Sequence, residues 1–167
     1  EVQSGFGRSG SFFAFQHHDI EPDIITIAKG MGNGFPVGGV LIHNSIEASY
    51  GMLGTTFGGN HLACTAVLAV LEVLENENLI ENAEKLGKYF KQKATEIPQV
   101  KEIKGKGLML GLKFDFEGAD LRKRLIHNQR LFTGGAKDKH VLRILPALTI
   151  NEKDMDLFFE ALKNELQ

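Results

Sequence analysis

Apolar and polar positions fall in blocks along the chain, and the blocks predict its elements. Residues 1–10 read as a strand end running into a turn, while the aromatic run at 11–16 fits neither a helical nor a strand period. Pro22 leads into Asp23-Ile24-Ile25-Thr26-Ile27-Ala28, a β-branched apolar run that predicts a buried strand. It stops at Lys29, where Gly30, Gly32 and Gly34 interrupt any regular element. Residues 37–43 predict a second strand. Asn60 is a candidate N-cap for a helix carrying Leu62, Ala66, Val67, Val70 and Leu74. A further helix is expected over 79–97, with Leu79, Ala83, Leu86, Tyr89, Phe90 and Ala94 at three- and four-residue spacings and Pro98 closing it.

The tail alternates differently. Residues 107–116 predict a strand, 119–131 a helix, 141–145 a strand, and 151–166 an amphipathic helix. On that last helix Met155, Phe158, Phe159 and Leu162 form a stripe that belongs in a core. A β-α-β-α order of this kind predicts a compact α+β unit. The boundary is expected near Pro98, giving domains 1–97 and 98–167. No internal repeat is present.

Composition narrows the function classes. The chain is 43% hydrophobic and 24% charged, which is globular rather than disordered. A formal net charge of −2 supplies no basic field for nucleic acid or an anionic membrane surface. No apolar run is long enough to span a bilayer, and nothing at the start reads as a signal. The single cysteine, Cys64, excludes an internal disulfide and fits a reducing cytoplasm. The chain starts at Glu1 without Met and runs straight into a Gly-rich turn, which suggests a cut polypeptide.

Several motifs invite chemistry. Gly5-Phe6-Gly7-Arg8-Ser9-Gly10 matches the dinucleotide pattern, but the crowded aromatics after it make a poor helix start, so a structural turn is expected. A lysine at a strand end is ordinarily a solvated charge. Lys29 differs in following an apolar strand, so that its side chain would emerge from a core, and in preceding glycines that leave the backbone bare for a cofactor ring. Amines held in a partly desolvated site lose their proton more readily and attack aldehydes. A phosphate P-loop would need the glycines before the lysine, so that reading fails.

Gly54-Thr55-Thr56-Phe57-Gly58-Gly59-Asn60 could be an anion site at a helix N-terminus or an ordinary loop with an Asn cap. Arg143 lies inside an apolar strand, where a charge needs a partner. That partner is either a protein carboxylate, which the residues alone favour, or a substrate carboxylate gripped in bidentate fashion. His17, His18, Asp19 and Cys64 have no metal-ligand spacing, and no nucleophile elbow is present.

In order, residues 1–10, Pro22-Asp23-Ile24 through Ala28-Lys29-Gly30, Gly34-Phe35-Pro36-Val37-Gly38, Gly54 to Asn60, and Leu142-Arg143-Ile144-Leu145-Pro146-Ala147-Leu148 resemble the class III aminotransferases that depend on pyridoxal 5′-phosphate (PLP). Within that family the likeness is closest to the acetylornithine and succinylornithine enzymes. The resemblance covers essentially the whole chain. It implies an α/β fold, the C-terminal part of a fold type I PLP-dependent transferase. Residues 1–97 would be the C-terminal portion of the large PLP-binding domain and 98–167 the small α+β domain. It implies that Lys29 holds PLP as a Schiff base and later shuttles a proton. Gln3 would hydrogen-bond near the cofactor's 3′ oxygen, and Thr56 would reach the PLP phosphate of a neighbouring subunit in a homodimer with shared active sites. Arg143 would clamp the substrate α-carboxylate, which reverses the preference drawn from the residues alone.

The implied reaction carries the side-chain amino group of N-acetyl- or N-succinylornithine to 2-oxoglutarate, in arginine biosynthesis, with ornithine and 4-aminobutyrate aminotransferases as family alternatives. In the family an aspartate that pairs with the pyridinium nitrogen immediately precedes the residue matching Glu1, and this chain begins one residue later. The polypeptide alone is therefore expected to be inactive or nearly so, with its first strands exposed or paired to another copy. The rival expectations are a non-catalytic folded or dimerisation piece and, more weakly, a nucleotide-binding module.

Overall fold

A computed structural model describes all residues, Glu1–Gln167. Its backbone packing divides into two compact units, Glu1–Ile80 and Glu81–Gln167.

The first unit begins with the glycine-rich turn. Gly7 and Gly10 take φ of 83° and 86°, and Gly10 N donates to Gly7 O at 3.0 Å. Phe6 is buried beneath Phe12 and Phe13, with ring centroids 5.3 and 6.1 Å away. A four-residue 3-10 turn, Ala14–His17, follows in place of the α-helix a dinucleotide fingerprint requires. The aromatic residues therefore clamp a structural turn, as their crowding predicts.

Strand β1 (Ile24–Ala28) and strand β2 (Gly38–Ile42) then form an antiparallel pair running from Ile24↔Ile42 to Ala28↔Gly38. A 3-10 turn, Lys29–Gly32, leaves the end of β1. The expectation of a buried strand needs correcting. Ile24 is 54% exposed, and of the strand's residues only Ile27 is buried. The reason is topological: β2 is the sole hydrogen-bonded neighbour of β1, so its other edge and much of both faces have nothing to pack against.

Helix α1 (His61–Asn76) starts where Asn60 predicts, with Asn60 Oδ1 accepting from Ala63 N at 3.0 Å. Its apolar residues run round the whole circumference, a pattern that belongs to a helix covered on all sides. Here only Ala63 and Leu74 are buried, and Leu62, Leu68 and Val73 are exposed.

The second unit is an antiparallel four-stranded sheet with helices packed on one face. Helix α2 (Leu79–Ala94) contributes Ala83, Leu86, Phe90 and Ala94 to this unit's core, each 1% exposed or less. The boundary between the two packing units falls at 80/81, within the first turn of α2. Pro98 follows the helix, which ends at Ala94. Strands β3 (Glu102–Lys106), β4 (Met109–Lys113), β5 (Gly134–Gly135) and β6 (Val141–Ile144) lie in the order β3-β4-β6-β5. Helices α3 (Gly118–Gln129) and α4 (Glu152–Glu165) complete the unit.

The pairs Leu110↔Ile144 and Leu112↔Leu142 bring four apolar side chains onto one face. Leu121 and Leu125 of α3 and Met155, Phe158, Phe159 and Leu162 of α4 join the same cluster. Burying each such side chain contributes about 1.5–3 kcal/mol. The tail stripe is therefore core. Asn151 caps α4 in a capping box, accepting from Lys153 N and Asp154 N while Asp154 Oδ2 accepts from Asn151 N. Asn82 Nδ2 donates to Leu148 O at 2.7 Å and Ile150 O at 3.0 Å, which fixes the stretch between β6 and α4 against α2. Gly87 lets α2 approach the β3–β4 turn: a β-carbon there would stand 2.8 Å from Gly107 C and Cα.

Candidate active site

Lys29 is the first residue after β1, and its φ is 50°. That is the left-handed region, which residues with a β-carbon avoid and which recurs at functional positions. Its side chain is exposed and takes part in no hydrogen bond or ion pair. The expectation that it emerges from a core is thus not met within this chain, for the reason given for β1. The glycines after it divide by role. A β-carbon at Gly30 would meet only Phe6 Cβ at 3.9 Å, so this backbone is open to an approaching ring. Gly32 is buried, and a β-carbon there would press on Val37 Cγ1. Gly34 holds φ 105°, which itself favours glycine.

Two other segments flank the Lys29 turn. The Phe6–Gly30 approach sets the N-terminal turn beside it, and α1 packs on it as well. Gln3 lies on that turn, exposed, with its amide unbonded. Its neighbours are committed elsewhere: Ser4 Oγ donates to Glu1 Oε2 at 2.7 Å, and Phe15 N donates to Glu1 Oε1 at 3.0 Å. Burial works to raise the Glu1 pKa, but hydrogen bonds from Ala14, Ser4 and Phe15 outweigh it and hold the carboxyl below its ordinary value. Glu1 is a strut of the turn.

The loop before α1 separates its two threonines. Thr55 Oγ1 accepts from Gly58 N at 3.1 Å and shapes the loop, whereas the Thr56 hydroxyl is exposed and has no partner. Asn60 both caps α1 and donates from Nδ2 to Phe57 O at 2.8 Å. These bonds cap the helix and shape the loop, and Thr56 is the group they leave available. His17 Nε2 lies 3.0 Å from Ser9 O, so it braces the turn, and no cluster of His, Cys, Asp and Glu is placed to hold a metal ion.

In the second unit Arg143 occupies the middle of β6, exposed between the buried Leu142 and Ile144. No carboxylate of the chain pairs with it and its guanidinium makes no hydrogen bond. Strand alternation explains this: Leu142 and Ile144 face the helices, and Arg143 points the other way. Gln3, Lys29, Thr56 and Arg143 thus share one property. Each presents an exposed polar head without a partner in the chain. The motif reading did not pick out Glu1, the role of Gly134 beside Arg143, or the buried and unbonded hydroxyl of Thr133. None of these belongs to a charged or periodic pattern.

A family model for class-III aminotransferases matches residues 1–166, and the chain belongs to that family. The acetylornithine aminotransferase of Methanocaldococcus jannaschii is 42% identical over 168 residues, which cover 97% of this chain and 42% of that protein. Among solved structures, the ornithine δ-aminotransferase of Plasmodium falciparum has a TM-score of 0.87 at 32% identity, covering 99% of this chain and 44% of its own. The ornithine aminotransferase of Toxoplasma gondii has a TM-score of 0.86 at 27% identity, over 99% of this chain and 41% of that one, and its active site holds PLP at partial occupancy. The fold is therefore that of the C-terminal part of these enzymes, as the motif resemblance implies. The chain spans less than half the length of the relatives it matches.

Proposed function

We propose that the protein is an aminotransferase that uses pyridoxal 5′-phosphate to transfer the side-chain amino group of N-acetyl- or N-succinylornithine to 2-oxoglutarate, a step of arginine biosynthesis. The observation that carries the reading is Lys29: an exposed, unpartnered amine held at φ 50° beside the open backbone of Gly30. The 42% identity to an acetylornithine aminotransferase supports the donor class.

The residues present fit the cofactor. Lys29 would hold its aldehyde carbon covalently, the Gln3 amide would hydrogen-bond its ring oxygen, and the Thr56 hydroxyl would serve its phosphate. When bound, PLP supplies an electron-withdrawing ring that makes the hydrogen on the amine-bearing carbon removable. The Lys29 amine, when free, would move that proton. Arg143 offers two parallel N–H donors to a substrate carboxylate and so sets its register. Residues 1–97 and 98–167 would correspond to the end of a large cofactor domain and a small substrate-facing domain.

We further assign Thr56 to the phosphate of a second copy, in a homodimer with shared active sites. The exposure of Tyr50, Leu53, Phe57 and Leu62 around that threonine supports an apolar interface there. No helix is long and apolar enough to cross a membrane, and Cys64 is free, which supports a cytoplasmic assignment. Because the relatives are more than twice as long as the matched stretch, these 167 residues alone should give little or no turnover.

The test is amino transfer to 2-oxoglutarate by the PLP-loaded full-length enzyme that contains these residues, comparing N-acetylornithine, ornithine and 4-aminobutyrate. The acylated donor should have the highest kcat/KM. A faster reaction with ornithine would move the assignment to the ornithine enzymes, and no glutamate from any donor would sink it.

A further inference from the structure

We propose that Gly134 is a positioning residue for Arg143: its missing side chain is the slot in which the guanidinium lies. The proposal rests on the reading that Arg143 receives a substrate carboxylate. In the sheet Arg143 has two direct cross-strand partners, Gly111 on β4 and Gly134 on β5. Side chains at such paired positions stand on the same face within contact of each other. Both partners of this arginine lack one.

The two glycines differ in what they admit. A β-carbon at Gly111 would meet Val141 Cγ1 at 2.9 Å. One at Gly134 would stand 2.8 Å from Arg143 Nε, 3.1 Å from Nη2 and 3.4 Å from Cζ. Three atoms of the guanidinium plane therefore line position 134, and the plane lies along the bare backbone of β5. The backbone does not itself demand glycine there, since Gly134 is absent from the residues with positive φ. Glycine inside a strand weakens it. The guanidinium supplies the reason that conformation does not.

The functional consequence concerns the donors. An arginine in a protein is usually oriented by a carboxylate, which occupies the same N–H groups a ligand would use. Arg143 has no such partner. Contact with β5 can hold the side chain while leaving its N–H donors free for a planar carboxylate. The adjacent Gly135 supplies an internal control, because a β-carbon there would approach Arg122 Nη1 at 3.0 Å and not Arg143.

The experiment compares Gly134→Ala, Gly135→Ala and Arg143→Ala in the PLP-loaded full-length enzyme that contains these residues. Three readouts are needed: KM for 2-oxoglutarate, thermal unfolding, and the Arg143 Nε–H resonance in a ¹⁵N spectrum. Gly134→Ala should unfold within a few degrees of the wild type, shift the Nε–H resonance, and raise KM about tenfold or more, the value of one misplaced charge-assisted hydrogen bond. Its kcat should stay within about twofold, as for lost uniform binding. Gly135→Ala should leave KM and the Arg143 resonance unchanged. An unshifted resonance with unchanged KM in Gly134→Ala, while Arg143→Ala raises KM, overturns the proposal and leaves the carboxylate reading intact. A collapse of stability in Gly134→Ala also overturns it, because the glycine would then be a packing requirement. If Arg143→Ala leaves KM unchanged, the carboxylate reading falls, and the Nε–H shift alone decides whether Gly134 places the guanidinium.

Discussion

Replacing Lys29 with glycine should make the protein more stable, although it removes the residue on which the proposed chemistry depends. Lys29 sits at φ 50°. A residue with a β-carbon costs about 1–2 kcal/mol in that conformation, and glycine costs nothing comparable. Against this, glycine loses more freedom on folding, about 0.4–1 kcal/mol. The side chain itself is exposed and makes no hydrogen bond or ion pair, so its removal sacrifices little packing. The difference is a net gain of roughly 0.5–1 kcal/mol, or about 1–4 °C in Tm for a chain of this size. The assay is thermal and urea unfolding of Lys29→Gly without cofactor, with Lys29→Ala alongside. Alanine keeps the β-carbon and should unfold close to the wild type. Were Lys29→Gly to lose roughly 0.5–1 kcal/mol, as glycine does at ordinary strand and helix positions, no strain would be stored at Lys29. A gain would show that the chain keeps a lysine where stability asks for glycine, which is how a functional residue is expected to behave.

Three further outcomes follow from the second unit. Gly87→Ala should gain about 1 kcal/mol in helix propensity, yet its β-carbon would press on the Gly107 backbone, a rigid neighbour, so a net loss of about 1–2 kcal/mol is expected in urea unfolding; a net gain would mean the turn yields. Thr133 has a buried hydroxyl with no partner; Thr133→Val should stabilise by about 1 kcal/mol by removing it, and a comparable loss would show that the hydroxyl is bonded after all. Asp138 accepts from His140 N, Lys113 and His140 Nδ1, which lowers its pKa from 3.8 to about 2. A depressed folded pKa stabilises above the unfolded value and is lost as pH falls through the folded one. The wild type should therefore lose stability more steeply than Asp138→Asn between about pH 4 and pH 2; parallel curves would remove the role assigned to these bonds.

How far the sequence could be read depended on whether an element writes a side-chain pattern. Helices α2 and α4 do, and their stripes fall on the core. Asn60 and Asn151 mark helix starts through the chemistry of their own side chains. Strand β3 does not, because Glu102-Ile103-Lys104-Gly105-Lys106 carries one apolar residue and lies at the sheet edge. Strand β5 is two glycines and has no side chains to show a period. The single strand expected over 107–116 contains the β3–β4 turn at its start, since Lys106 pairs with Met109. For β1, apolar composition promised burial that only neighbouring strands could supply.

The proposed site residues Lys29, Gln3, Thr56 and Arg143 stand out in the sequence only through ordered motifs. The free state of their side chains was not legible there; around Thr56, for example, Thr55 and Asn60 take the local hydrogen bonds. Nor was the φ of Lys29, which no residue type announces. Arg143 shows the limit from the other side. An arginine in an apolar strand calls for a partner, and only the register against Gly111 and Gly134 shows that the strand keeps it unpaired and exposed.

Lys29 as the covalent anchor of the cofactor is tested most directly by borohydride reduction of the PLP-loaded protein, followed by proteolysis and mass spectrometry. The phosphopyridoxyl mass should appear on the peptide containing Lys29, and Lys29→Ala should show neither the label nor a reducible absorbance band. A label on another lysine, or a reducible band retained by Lys29→Ala, would contradict the assignment.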